Sequence, residues 1–410
     1  MNRHNTFMVK TALLINYAVF SMFLNLLSIF IMQSITVYHA SAISAGALES
    51  YQNLTQAAMA FIAFSFLLKL GYKRAMIITL FIMTIVCFFM PILNTYWAVK
   101  MFLVIVGISF VLVKISIYAS VGIICNTENA HVRFIVLLEG CYMIAGVISM
   151  WIFSEFIRYA PEHWMFGFWV LGIFSLLGGL FWLIVPLDES AIQKAKSESF
   201  LFQLKEIGGL FKRHAVIMFA VMIFIYELLE QGIGTWLPTF YNYTLSIPNY
   251  VSIQIAILLP LCFGLGRICS SFVLKKLSWQ LMFFIGFIAS GILIFCSVHF
   301  SVLGSGKNAT GFFDVPKIAY LLPLMGFFLA PIYPALCSLI LSHTPKEKHV
   351  TLMSLILIVT TVACSAASRY IGIMFELVGG NLAIESTIIP IIVLIFLIVP
   401  YSRLISKKVA

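Results

Sequence analysis

The chain has 410 residues, of which 62% are hydrophobic and only 10% are charged, and its mean hydropathy is +1.06. Soluble proteins carry about 25% charged residues. This chain therefore has too little polar material to cover a soluble surface, and lipid must be its solvent. The net charge of +10 does not indicate a nucleic-acid partner, because the basic residues lie in small clusters between apolar runs.

Apolar runs long enough to cross a bilayer, which takes about 20 residues, recur along the whole chain. They lie near residues 11–37, 46–70, 75–93, 97–125, 133–157, 165–187, 215–241, 249–274, 279–301, 316–342, 350–376 and 383–402. The first run follows "MNRHNTFMVK" without a small-residue cleavage site, so we expect a retained helix and not a signal peptide. The pattern predicts an all-α membrane protein with twelve transmembrane helices.

The basic residues between the runs predict the orientation. Lys100, Arg158, Lys307 and Lys317 fall on the side opposite the N-terminus, whereas most of the other Lys and Arg residues fall on its own side. Cytoplasmic loops carry the excess of Lys and Arg. We therefore expect both termini in the cytoplasm and the chain in a plasma membrane, the inner membrane if the cell is bacterial.

The longest polar connection, residues 188–214, divides the runs six and six. Within it Phe200, Leu204, Ile207 and Phe211 recur at helical spacing, which predicts a helix lying on the cytoplasmic membrane surface. The second run ends "SFLLKLGYKR" and the eighth ends "SSFVLKKLSW". The similarity of these two segments suggests two parallel repeats around a midplane site. We therefore expect two pseudo-symmetric six-helix bundles, residues 1–187 and 215–410, joined by the linker 188–214.

The seventh run contains two acidic residues in "FIYELLEQGIGTWLPTFY". A charge at a helix centre costs about 2.5 to 3.5 kcal/mol on insertion scales, so such residues usually face a cavity or a partner. Glu227 and Glu230 are three residues apart, which puts them on one helical face, and Gln231 and Gly234 extend that face. The stripe predicts a cavity lining. The alternative is an internal ion pair or hydrogen bond that only locks helices together.

Four further residues inside or near the ends of runs carry charge. Lys114 in the fourth run and Glu139 in the fifth lie at similar depth if the two helices are antiparallel neighbours. Such a pair is either structural or a switch for which a proton or an anionic substrate competes. Arg267 and Arg369 are each about two turns from a membrane face, where they either snorkel to the interface or bind substrate.

Uncharged polar side chains in the first two runs offer hydrogen bonds: Asn16, Asn25, Gln33, Gln52, Asn53 and Gln56. These groups could bind the hydroxyls of a polar solute, or they could join helices, as interhelical polar bonds commonly do in membranes.

No cofactor or metal site is predicted. The eight cysteines show no CxxC spacing and read as reduced residues of the membrane core, and the histidines show no HExxH spacing. "GSGKNATG" resembles a P-loop, but it lacks that motif's first glycine and has Asn308 where Ser or Thr belongs.

Two stretches carry a family resemblance. "GFFLAPIYPALCSLIL" in the tenth run resembles the fucose permease-like group of the major facilitator superfamily, in which the tenth helix contains Tyr-Pro. "YELLEQGIGTW", which ends at Trp236, and the later "GLGR" fit the same group. The resemblance implies that Glu230 matches a characteristic Glu or Gln, that Arg267 matches the Arg closing the glycine motif, and that Asn25 matches an asparagine of the first span.

The resemblance also shows departures. Ile29 and Lys114 stand where fucose-type members carry an Asp and a Glu for proton coupling, and Leu68 stands where the superfamily usually has an Asp. A coupling carboxylate is therefore expected elsewhere, with Glu139 and Glu230 as the candidates.

The sequence thus predicts a secondary carrier, not an enzyme, that works by alternating access as a monomer and is driven by protons. A small polar solute such as a sugar is the first expectation, and a carrier of an anionic or zwitterionic solute such as an amino acid is the alternative. An exporter of drugs or metabolites would share the fold, and a transport-dead sensor would bind solute without moving it. A membrane-embedded enzyme would need a clustered nucleophile or metal site, which the sequence does not present.

Overall fold

The protein is described from a computed structural model, which covers residues 3–124, 128–187, 208–210, 213–273, 277–300, 306–344 and 349–406. Within these ranges the secondary structure is helical, without strands. Most of the predicted linker, residues 188–214, and most of its predicted surface helix lie outside the described residues.

The described residues up to position 187 form eight α-helices. They are α1 (Arg3–Leu24), α2 (Leu27–Thr36), α3 (Ala42–Gly46), α4 (Leu48–Leu70), α5 (Tyr72–Leu93), α6 (Tyr96–Ile124), α7 (Glu128–Tyr159) and, after a 3-10 turn at Pro161–Phe166, α8 (Gly167–Ile184). The predicted first run is a broken helix. A turn at Asn25 separates α1 from α2. The Asn25 Nδ2 atom donates to the Ser21 carbonyl, which also accepts from the Asn25 backbone N–H, and such competition is a common cause of a helix break.

The described residues from position 213 onward also form eight α-helices. They are α9 (His214–Leu245), α10 (Asn249–Ala256), α11 (Leu258–Val273), α12 (Trp279–His299), α13 (Leu321–Leu329), α14 (Ile332–Ser342), α15 (His349–Glu385) and α16 (Ile388–Ser406), with a 3-10 turn at Lys317–Tyr320 before α13. The described residues contain eleven helices or helix pairs long and apolar enough to span a membrane. The predicted second span is also a helix, α4, and the predicted fold class is confirmed.

The tenth predicted run breaks between α13 and α14 at Pro331, which has no N–H to donate to the carbonyl four residues earlier, Phe327 O. Gly266 of α11 lies against that same carbonyl, so closely that a Cβ there would come within 2.3 Å of the oxygen. The second glycine of "GLGR", Gly266, is therefore required by packing against α13.

Contacts divide the chain into two compact units. The first comprises Met1–Phe30 and Tyr51–Glu198, and the second comprises Ile31–Ser50 and Ser199–Ala410. The segment that includes α3 therefore packs with the second half of the chain.

Large apolar side chains cover the outer surface of both units. Ile184 is 68% exposed, Ile389 is 61% exposed and Phe396 is 74% exposed. Soluble monomers rarely expose contiguous apolar patches of this kind. This surface is suited to lipid, as composition predicts.

Candidate functional site

In the first unit, a carboxylate is held by two tyrosines. The Tyr17 hydroxyl of α1 donates to Glu139 Oε1 over 2.9 Å, and the Tyr118 hydroxyl of α6 donates to the same oxygen over 2.5 Å. A third tyrosine, Tyr142, lies one turn after Glu139 on α7, with its ring centroid 4.8 Å from that of Tyr17. We call Tyr17, Lys114, Tyr118, Glu139 and Tyr142 the Glu139 cluster.

Lys114 is the cation of the Glu139 cluster. It interacts electrostatically with Glu139, and its Nζ atom lies 5.5 Å from the centroid of the Phe110 ring. Its side chain is exposed although the residue lies past the middle of the 29-residue helix α6. Lys114 thus lies within electrostatic range of Glu139, while the hydrogen bonds described for the carboxylate come from tyrosines. A direct pairing of the two stays a prediction.

Asn25 lies at the break between α1 and α2. Its Nδ2 atom donates to the Ser21 carbonyl over 2.9 Å and to Ser21 Oγ over 3.1 Å, and the Ser21 hydroxyl donates to the Tyr142 carbonyl. Gly146 makes room for the amide, since a Cβ there would come within 2.6 Å of Nδ2. Asn25 is therefore linked through Ser21 to the backbone that carries Tyr142.

In the second unit, Glu227 and Glu230 lie near the middle of α9. Glu227 is only 6% exposed and accepts a hydrogen bond of 3.5 Å from the Cys364 thiol of α15. It also interacts electrostatically with Glu230 and with Glu49. A thiol is a weak donor, so the described hydrogen bond does little to offset the repulsion between these carboxyl groups. We call Glu49, Tyr226, Glu227, Glu230, Arg267 and Cys364 the acidic cluster.

Glu230 is half-buried and is hydrogen-bonded to the Tyr226 side chain one turn earlier. The Tyr226 hydroxyl also donates to the Leu329 carbonyl over 3.0 Å. Tyr226 therefore interacts both with Glu230 and with the end of α13.

Arg267 on α11 supplies positive charge to the acidic cluster. Its side chain is exposed, and it interacts electrostatically with Glu227 and Glu230. Two carboxyl groups of the cluster, Glu227 and Glu230, thus share Arg267.

The remaining predicted site residues occupy different environments. Gln231 on α9 and Gln56 on α4 are half-buried, and Arg369 on α15 is exposed. Trp236 is fully buried, and its indole Nε1 donates to the Ser368 carbonyl over 3.0 Å. In this conformation Trp236 packs α9 against α15, so contact with a solute stays a prediction.

Sequence reasoning did not single out Glu49, nor the tyrosines of the two clusters. Glu49 is 3% exposed and lies in the first turn of α4. The helix dipole favours a carboxylate at that position. A glutamate there is therefore ordinary in a sequence and does not indicate a functional site. Tyrosines are ordinary in spans. Tyr17 and Tyr118 are 122 and 21 residues away from Glu139 along the chain, so the sequence around Glu139 does not indicate that they contact it.

Comparison with known families now decides the class of protein. The sequence profile described as Major Facilitator Superfamily matches residues 11–368, most of the chain. The chain belongs to the Major Facilitator Superfamily. It is therefore an integral, multi-pass membrane transporter of small solutes and not an enzyme.

Solved structures of other superfamily transporters share the fold. A variant of the nucleoside transporter NupG has 15% identity and a TM-score of 0.77, over 96% of this chain and 99% of that one. An unoccupied, inward-facing bacterial homolog of the human lysosomal transporter Spinster has 13% identity and a TM-score of 0.77, over 100% and 99%. A D-xylose-proton symporter has 13% identity and a TM-score of 0.72, over 98% of both chains. At these identities the likeness shows the superfamily fold alone. No curated protein matches the chain.

Proposed function

We propose that this superfamily member is a proton-coupled symporter of a small, hydroxyl-bearing solute, which it moves by alternating access. The observation that carries the proposal is the acidic cluster. Glu227 and Glu230 are one turn apart in an apolar helix, and their described hydrogen-bond partners are a thiol and a hydroxyl.

The proton is assigned to this pair. Two carboxylates this close in a poorly solvated helix repel each other strongly, so keeping a proton on one of them is favourable. We assign that proton to Glu230, which is more exposed than Glu227 and stands at the position of the resemblance's characteristic Glu or Gln. Arg267, which interacts with both carboxyl groups, would stabilise the state that remains after the proton leaves.

The solute is assigned to the Glu139 cluster. Tyrosine hydroxyls, the Lys114 ammonium group and the Glu139 carboxylate supply donors and acceptors beside aromatic faces. That combination suits a hydroxylated ring. The fucose permease-like resemblance supports a sugar, and the NupG and D-xylose symporter structures share the fold. Asn25 and Gln56 are the first-half amides that we expect to take part.

An anionic or zwitterionic solute is the second candidate. Lys114, Arg267 and Arg369 all have exposed side chains on helices that span the membrane, and a carboxylate solute could pair with any of them. Lys114 is the strongest case, because it already interacts with a carboxylate in Glu139.

The test of this function uses purified protein in liposomes. A thermal-shift panel of sugars, nucleosides and amino acids selects a solute, and its uptake is measured with and without an acidic exterior. We expect a sugar or nucleoside to be selected and to accumulate when the exterior is acidic, with accumulation abolished by a protonophore. Uptake that ignores the proton gradient would refute the coupling. Selection of amino acids alone would favour the second candidate.

A further inference from the structure

A separate cavity of about 210 Å³ lies in the second unit, away from both clusters. It is lined by Arg213, His214, Ala215, Val216, Ile340, His343, Thr344, Leu404 and Ile405. These residues come from the start of α9, the end of α14 and the end of α16. Three of the nine are basic or titratable to a cation, none is acidic, and five are aliphatic.

The cavity lies at the level where three spans end together. The spanning segments run from His214 to Leu245, from Lys317 to Leu341 and from Ile388 to Ile405. The first begins, and the other two finish, at this cavity. Ends of spanning segments lie at the depth of lipid headgroups, so the cavity opens where phosphate groups are concentrated. The orientation predicted from the basic loops puts this surface in the cytoplasm.

The polar part of the cavity suits an anion. Arg213 immediately precedes α9, and no side chain caps that helix. Arg213 is half-buried and His214 is exposed, so both side chains remain accessible. His343 lines the same cavity from the end of α14, and its Nδ1 atom lies 2.8 Å from the Leu339 carbonyl, a contact that fixes the ring. A guanidinium group binds phosphate oxygens through two parallel hydrogen bonds.

The aliphatic part distinguishes a lipid from a free ion. Val216, Ile340, Leu404 and Ile405 line the same cavity as the basic residues. A free phosphate would gain nothing from these side chains, whereas the glycerol and first methylene groups of a phospholipid would contact them. Basic pockets between helices on the cytoplasmic side bind anionic headgroups. We propose that this cavity binds the phosphodiester headgroup of an anionic phospholipid, with Arg213 as its principal ligand.

The proposal is tested with short-chain lipids on the full-length protein in detergent. Thermal stability is titrated with dioctanoyl phosphatidylglycerol, with dioctanoyl phosphatidylcholine and with inorganic phosphate. We expect a saturable rise in melting temperature with phosphatidylglycerol and little with the other two. An equal response to phosphatidylcholine, or an equal response to phosphate alone, would overturn the proposal.

Variants locate the site. Arg213→Gln is expected to weaken the apparent affinity for phosphatidylglycerol about fivefold to tenfold, since one basic residue near an anionic surface contributes about that much. Leu404→Trp should weaken it by filling the aliphatic half without changing the charge. Arg74→Gln, an exposed arginine at the start of a span in the other unit, is the matched control and should keep wild-type affinity.

Native mass spectrometry of the wild-type protein gives a readout that does not depend on variant folding. Phosphatidylglycerol should be retained in preference to phosphatidylcholine. Equal retention of the two lipids, or unchanged affinity in Arg213→Gln, would show that the cavity is not an anionic-lipid site.

Discussion

At Glu139, two tyrosine hydroxyls donate to one carboxylate oxygen, and a lysine lies near enough to interact with the same group. Hydrogen bonds to a charged group contribute about 1.5–3 kcal/mol each, more than bonds between neutral groups. Glu139 is half-buried, so solvent screens part of this energy. The tyrosines therefore stabilise the carboxylate in addition to Lys114.

This arrangement gives a prediction for Tyr17. Tyr17→Phe should lower the stability of the protein in detergent by about 1 kcal/mol, because it removes a donor from a charged acceptor. In a Glu139→Gln background the same substitution should cost less, since the acceptor is neutral. Thermal unfolding of the two single variants and the double variant measures the difference. Tyr142→Phe is the control, because it leaves both hydrogen bonds to Glu139 in place. An equal loss in both backgrounds would show that the Tyr17 bond does not depend on the charge of Glu139.

At the scale of elements, α3 is attached to α15 by close backbone contact. A Cβ on Gly46 would come within 2.6 Å of the Ser368 carbonyl, and a Cβ on Gly372 within 2.6 Å of the Ala42 carbonyl. The Ile43 N–H of α3 also donates to Glu376 Oε2 over 3.0 Å. The Trp236 ring lies beside both glycines, which explains why this residue is fully buried.

The contact predicts that one added methyl group is enough to push α3 and α15 apart. Gly372→Ala should destabilise the protein by about 1–3 kcal/mol, as overpacking against backbone does. Ala favours a helix over Gly by up to about 1 kcal/mol, so the steric cost must exceed that gain. Gly264→Ala on α11 is the matched control, since a Cβ there meets nothing within 4 Å. We expect the control to be neutral or stabilising in thermal unfolding. Equal behaviour of the two variants would show that α3 does not need this close approach.

For the whole molecule, the sequence was sufficient to predict the fold class, because hydropathy reports which segments are long and apolar enough for a membrane. It could not show that Ile31–Ser50 packs with the second half, since that depends on glycine contacts hundreds of residues apart. The breaks at Asn25 and Pro331 were not predicted either. Hydropathy is the same for one helix or two, and a proline does not always break a spanning helix, as Pro238 inside α9 shows.

The candidate site was predictable only in part. Glu227 and Glu230 stood out because carboxylates are costly inside apolar runs. Glu49 did not, because it lies at the end of a run, and its burial near Glu227 arises only when the Ile31–Ser50 segment packs with the second half of the chain. A charged residue inside an apolar run indicates a functional site from the sequence alone, whereas the tyrosine hydrogen-bonded to it does not.

The central claim is that Glu230 carries the coupled proton, and the Glu230→Gln variant tests it most directly. Glutamine keeps the shape and the hydrogen bonding of this residue but fixes its charge at zero. The variant is reconstituted in liposomes with the solute that the thermal-shift panel selects, beside wild type and Glu162→Gln, a control at an exposed glutamate outside both clusters. Solute exchange and proton-driven accumulation are then measured in the same preparations.

We expect Glu230→Gln to exchange solute at close to the wild-type rate, with no response to external pH, and to lose accumulation. Accumulation with wild-type affinity and wild-type pH dependence in this variant would contradict the account.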